Sequence, residues 1–184
     1  KTLTMIMLTK MIIRESMKEN STIKRPRFLM VTDRINLDKQ IRDNFIHAQM
    51  SPHRAKTGKG LIELLQDDSN TVITALVNKF EAAIKQAYCN ESDNLFLFID
   101  EGHRTQYGKL NIYMNRVLPR AIKIAFTGTP LIQKQPKERN RKILPAKDTY
   151  AKFGPLIDKY TLQDAIDDKV TVPIVYEGRV IPQR

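Results

Sequence analysis

In Asn94–Thr105, NLFLFIDEGHRT, five apolar residues, Leu95 to Ile99, run straight into Asp100 and Glu101. An apolar run of this length, unbroken by polar alternation, reads as a β-strand buried on both faces, the habit of a parallel sheet covered by helices. Carboxylates at the end of a buried strand are costly unless positive charge meets them. The stretch therefore predicts a strand over 95–100 and a cation opposite Asp100 and Glu101.

Working outward, apolar side chains recur at near-helical spacing over 3–18, 36–45, 78–88, 109–118 and 161–168, which predicts helices there. RFLMVT (27–32), TVITA (71–75), IKIAFT (122–127) and residues 170–176 read as strands, and the polar, glycine-containing stretch 51–60 as a loop. Strands alternating with helices mean an α/β fold, a parallel sheet with right-handed crossovers. Ligands of such sheets sit at the carboxyl ends of the strands. Asp100 and Glu101 stand there, as do Asp33 after VT and Gly128 after FT. There is neither an internal repeat nor a low-complexity tract.

The chain has 184 residues, 41% of them hydrophobic, enough for the core of one domain. No apolar run approaches the roughly 18 residues needed to cross a bilayer. The apolar start, KTLTMIMLTK, lacks a small-residue cleavage site, so a cytoplasmic protein without a membrane partner is expected. The single cysteine, Cys89, excludes an internal disulfide framework and reads as an inert side chain. The net charge of +11 points to a polyanionic partner or, more blandly, to a solvated basic surface. It is densest over 131–152, where seven Lys/Arg face two acids, with Pro136 and Pro145 and no clean period: a basic loop. Both ends look cut, and the chain reads as a piece of something longer.

An apolar strand ending in Asp-Glu is the pattern of a Walker B site, in which the first carboxylate holds Mg²⁺ and the second polarises the attacking water. The predicted cation is then a metal ion plus a lysine. Lys1-Thr2, which opens the first helix, has the form of the last two letters of a phosphate-binding loop, G-x-x-x-x-G-K-[ST]. A Lys-Thr pair alone carries little; it counts because it starts the right helix ahead of the right strand. TGTP, Thr127–Pro130, ends another strand, and its hydroxyls can bond neighbouring backbone and the acidic motif.

Taken together, DEGH followed by RTQYG, with VTDRINLDKQ upstream and AFTGTP downstream, resembles the first motor domain of superfamily 2 helicases. More narrowly, it resembles the restriction (R) subunit of type I restriction–modification enzymes, whose variant of the box is followed by Arg-Ser/Thr-Gln. FGPLIDKYTLQDAIDDKVTVPIVYEGR, Phe153–Arg179, resembles that family's stretch after TGTP.

The resemblance implies a RecA-like P-loop NTPase fold in which residues 1–184 form the first motor lobe, truncated at both ends, with the first strand and the phosphate-loop glycines missing. It implies ATP and Mg²⁺ as cofactors, Lys1 on the β- and γ-phosphates, Thr2 and Asp100 on the metal, and Glu101 as catalytic carboxylate. His103 would couple hydrolysis to movement. Thr127, Gly128 and Thr129 would link the nucleotide to the DNA-binding face, and Asp33, Arg34, Gln40 and Thr74 would lie along the nucleic-acid track. The implied partners are double-stranded DNA and the methyltransferase and specificity subunits, and the implied activity is ATP-driven translocation before cleavage of unmodified DNA. Gly102 stands where that box usually has Ala, a small change. No nuclease cluster is identifiable, and no second motor lobe with its arginine finger. The missing first strand is expected in the middle of the sheet, so this piece alone is expected to be unstable and a poor ATPase. Two other readings are a general superfamily 2 DNA or RNA helicase and a basic nucleic-acid-binding module inert toward ATP.

Overall fold

The computed structural model describes residues 1–102, 107–130, 149 and 153–173. The chain divides into two compact units, Lys1–Gly154 and Pro155–Arg184.

The first unit is a five-stranded, all-parallel sheet in the order β2-β3-β1-β4-β5. The strands are β1 (Arg27–Thr32), β2 (Pro52–Ala55), β3 (Val72–Leu76), β4 (Leu95–Asp100) and β5 (Ile122–Phe126). The helices are α1 (Thr2–Ser16), α2 (Ile35–His47), α3 (Gly58–Gln66), α4 (Lys79–Lys85) and α5 (Tyr107–Val117). β1 and β4 are buried along their whole length, as an unalternated apolar run requires. Their side chains divide by parity. Phe28, Met30, Phe96 and Phe98 pack with α1 and α2 on one face. Leu29, Val31, Leu97 and Ile99 pack with α3, α4 and α5 on the other. A row of rings crosses the first face: Phe28 stacks on Phe96 at 5.4 Å between centroids, and Phe98 meets Phe28 and Phe126 edge-on at 5.8 and 5.5 Å.

Two expectations are corrected here. Residues 51–60 are not a loop. Pro52–Ala55 pairs with β3 as an edge strand, and α3 begins at Gly58, capped by Thr57 Oγ1, which accepts from the Gly60 N–H at 2.9 Å. Proline at the first position of an edge strand costs no ladder bond, and Gly58 is needed because a Cβ there would collide with the Ala82 methyl of α4. The expected strand over 170–176 is likewise absent from its described part. The N–H groups of Val170 and Thr171 both bond back to the Ala165 carbonyl, closing a helix instead of entering a ladder; residues 174–176 lie outside the described residues. The five strands also pair without a gap. The strand at the middle of these five is β1.

In the second unit, α6 (Leu162–Asp167) carries a capping box. Thr161 Oγ1 accepts from the Asp164 N–H, and the Asp164 carboxylate accepts from the Thr161 N–H at 2.6 Å. The bonds from Thr161, hydroxyl first and then backbone, hold the Asp164 carboxyl below its ordinary value. The cap is thus complete at neutral pH and is lost as acid protonates Asp164.

Candidate functional site

Parallel pairing brings the carboxyl ends of all five strands to one edge of the sheet. Asp33 follows β1 there, Asp100 closes β4, and Thr127 follows β5. α1 starts at the same edge. Lys1, its N-cap, donates from Nζ to Asp100 Oδ1 at 3.4 Å and to Glu101 Oε1. Residues 99 and 100 positions apart in sequence thus meet, and the cation that the strand end demanded is the Lys1 ammonium. Thr2, the next residue, opens the first turn of α1 half-buried.

The two carboxylates differ in setting. Asp100 is 6% exposed and its Oδ1 also accepts from the Glu101 N–H at 3.0 Å. Glu101 is 29% exposed and has φ of +51°, the left-handed region, which costs a non-glycine residue about 1–2 kcal/mol. Bonds on either side hold it there: its own N–H to Asp100, and the Gly102 N–H to the Phe126 carbonyl at 3.4 Å. The turn aims the glutamate out of the strand line into a cleft of about 900 Å³. Asp33, Arg34 and Gln40 line the opposite wall. The register sets Asp100 against Phe126, so Thr127–Thr129 lie directly beside the carboxylates, with Thr127 Oγ1 accepting from the Thr129 N–H at 3.1 Å. A lysine, a hydroxyl and two acids at one strand edge form a donor set of hard oxygens and one ammonium, fit for a phosphate with its magnesium.

A family model described as SWI2/SNF2 ATPase matches residues 1–184. The chain belongs to the SWI2/SNF2 ATPase family. Among curated proteins it is 29% identical over 184 residues to the "Putative type I restriction enzyme MjaIXP endonuclease subunit" of Methanocaldococcus jannaschii, covering 98% of this chain. It is 33% identical over 175 residues to the "Type I restriction enzyme HindI endonuclease subunit" of Haemophilus influenzae, covering 84% of this chain. The chain spans 16% of the length of each of these relatives. Among solved structures it resembles a nuclease-deletion mutant of the Type ISP restriction-modification enzyme LlaGI in complex with a DNA substrate mimic. That likeness has a TM-score of 0.59 at 13% identity, over 92% of this chain and 17% of that one. The fold is therefore that of a RecA-like lobe, as the resemblance implied, on the parallel α/β sheet that the alternation of strands and helices predicts.

Within this fold the structure brings Lys1, Asp100, Glu101, Asp33, Arg34, Gln40 and the TGTP turn to one edge. It does not bring Thr74. That residue is 1% exposed in the middle of β3, and its hydroxyl is buried without a partner, so it has no surface to offer a nucleic acid. Thr74→Val, which keeps the shape and removes the unpaired hydroxyl, is expected to leave DNA affinity unchanged and stability equal or higher. DNA titrations and urea melts of the variant measure both. His103 and most of the basic stretch 131–152 lie outside the described residues.

Gly102 is not a small change in this chain. A Cβ there would stand 2.8 Å from the Ala125 Cβ and 3.4 Å from the ring of Phe153. Ala125 of β5 occupies the room that an alanine in the box would need. Gly102→Ala is expected to cost about 1–3 kcal/mol by overpacking, read as a lower urea midpoint. Adding Ala125→Gly should return most of it; additive losses would remove the steric account.

Sequence reasoning missed Arg27, read as the start of an apolar strand, and the pair Asp38–Arg54. Arg27 and Asp38 are charged groups that the fold buries, and Arg54, itself 31% exposed, meets Asp38 from the sheet edge. The signal was a charge at a position whose periodicity points inward.

Proposed function

We propose that this chain is most of the first lobe, residues 1–184, of an ATP-driven motor that translocates double-stranded DNA within a type I restriction endonuclease subunit. One observation carries the reading: Lys1 meets Asp100 and Glu101 at the carboxyl edge of the sheet, across the cleft from Arg34 and Gln40. The names of the curated relatives and the family match support the same reading.

MgATP, when bound, supplies the γ-phosphoryl group and the metal charge that these side chains are placed to meet. The Lys1 ammonium leaves the carboxylates to bind phosphate oxygens. Thr2 and Asp100 present a hydroxyl and a carboxylate to the magnesium ion. Glu101, held off the strand line by its backbone, orients a water and accepts its proton. His103 and the turn Thr127, Gly128 and Thr129 link the state of this site to the nucleic-acid face. Asp33, Arg34 and Gln40 lie along the DNA track, with Arg34 and Gln40 donating to backbone phosphates, which gives grip without sequence preference. Recognition of the site belongs to the methyltransferase and specificity subunits, and cleavage to a nuclease outside this chain. The charge of +11 suits a protein that follows a polyanion.

The test is ATP hydrolysis by the full-length protein with and without long unmodified duplex, in wild type and Asp100→Ala. The motor reading expects stimulation by duplex and loss of hydrolysis in the variant. If no ATP is consumed under any DNA condition while salt-sensitive DNA binding persists, the chain is a basic binding module and the motor reading fails.

A further inference from the structure

Three side chains that the proposed reaction does not use, Asp38, Arg54 and Thr74, lie where α2 covers β2 and β3. Asp38, in the first turn of that helix, is 1% exposed, and its Oδ2 accepts from Arg54 Nε at 2.6 Å. Arg54 lies on β2 directly opposite Thr74 of β3. Val72 packs under α1 and α2 and Ile73 on the other face, so alternation turns Thr74 and its neighbour Arg54 toward α2. Among the described residues, Asp38 Oδ1, Thr74 Oγ1 and Arg42 Nε in this region are buried without a hydrogen-bond partner, Arg42 standing one helical turn beyond Asp38.

Asp38 is buried and Arg54 is 31% exposed, and such a pair is a poor source of stability, since desolvation of the carboxylate offsets much of its attraction. What it does supply is register. Ile41 and Phe45, the apolar anchors of α2, would tolerate a small slide of the helix over the sheet. A single guanidinium contact at 2.6 Å to a carboxylate with no other partner among the described residues would not. The contact also sits where register matters. The Asp38 N–H bonds the Arg34 carbonyl at 3.0 Å, so fixing Asp38 fixes the turn from which Arg34 and Gln40 reach into the cleft.

We infer that Asp38 and Arg54 are positioning residues, which lock the first turn of α2 to the sheet edge so that Arg34 and Gln40 stand at a fixed spacing for a nucleic-acid backbone. This rests on the nucleic-acid reading of the cleft proposed above. Neither residue touches the nucleotide site, so the pair governs how tightly DNA is held and not how fast ATP is cleaved once DNA is bound.

The test measures duplex-stimulated ATP hydrolysis by the full-length protein as a function of duplex concentration. Arg54→Met is expected to raise the half-saturating duplex concentration about tenfold, with the rate at saturating duplex within about twofold of wild type. Asp38→Leu combined with Arg54→Met should be no worse than the worse single variant, because removing both partners leaves no bare buried charge. A merely structural role would lower the melting temperature and the rate together and leave the half-saturating concentration in place; that result, or additive losses in the double variant, overturns the inference. Should Arg54→Met fail to accumulate as folded protein, Asp38→Asn, which keeps the side-chain volume, carries the same readout. If wild type shows no duplex stimulation at all, the nucleic-acid reading itself fails and takes this inference with it.

Discussion

Replacing Arg27 by methionine is expected to destabilise the sheet unit by roughly 3 kcal/mol. The side chain is 2% exposed, and all five of its N–H donors are used. Nε donates to the Asn70 carbonyl at 3.1 Å, one terminal nitrogen to the Leu65 carbonyl at 3.0 Å and the Asp68 carboxylate at 2.7 Å, and the other to the Leu64 and Asp67 carbonyls at 2.8 and 2.9 Å. The last carbonyls of a helix have no partner of their own. Arg27, reaching from β1, caps the end of α3 and ties it to the centre of the sheet. Methionine restores the bulk and none of the bonds. The loss is incomplete because Asn90 Nδ2 also donates to Leu65 at 3.1 Å, and Asn70 Nδ2 to Leu64 and Asp67 at 3.4 and 3.3 Å. Lysine should recover only part, since an ammonium cannot span this fan of acceptors. Asp68 is 82% exposed, so Asp68→Asn should change stability by well under ~1 kcal/mol. Urea unfolding of the three variants tests the ranking; a midpoint for Arg27→Met indistinguishable from wild type would refute the capping account.

Arg27 also shows where the sequence could be read and where it could not. β1 and β4 were legible to the residue because an uninterrupted apolar run has one explanation, burial on both faces. The acids at the end of β4 demanded a cation, expected as a metal ion plus a lysine, and the structure sets the Lys1 ammonium against both of them. β2 and α3 were hidden because their identity is set elsewhere. Pro52–Ala55 has only Ala55 fully buried and is a strand because β3 offers it a free edge. α3 opens with glycines that lower helix propensity but fit a close approach to α4. The pair Asp38–Arg54 under α2 went unread because a sequence does not reveal which partner arrives to neutralise a buried group. Thr74 was misplaced for a related reason: a short motif names a residue without saying which way its strand turns it.

Glu101→Gln is expected to lower ATP hydrolysis by the full-length protein about 10²- to 10⁴-fold, the usual worth of a positioned proton acceptor. Nucleotide binding should survive, and the structure argues that it should tighten. Lys1 Nζ donates to Glu101 and Asp100. To bind phosphate it must give up those contacts, so every contact to the glutamate competes with the nucleotide. The pair is partly solvated, with side chains 36% and 29% exposed, and such pairs contribute at most about 1 kcal/mol. Removing the glutamate charge therefore predicts a gain in affinity of up to about fivefold, opposite in sign to the loss of rate. Asp100→Asn separates the two acids. It removes a carboxylate that is only 6% exposed and assigned to the metal, so it should weaken magnesium-dependent nucleotide binding as well as hydrolysis. Equilibrium binding of a non-hydrolysable nucleotide, read beside the hydrolysis rate, distinguishes the outcomes. A glutamine variant that binds more weakly and hydrolyses within tenfold of wild type would mean that Glu101 serves to hold Lys1, and that the proton acceptor must be sought elsewhere along the cleft.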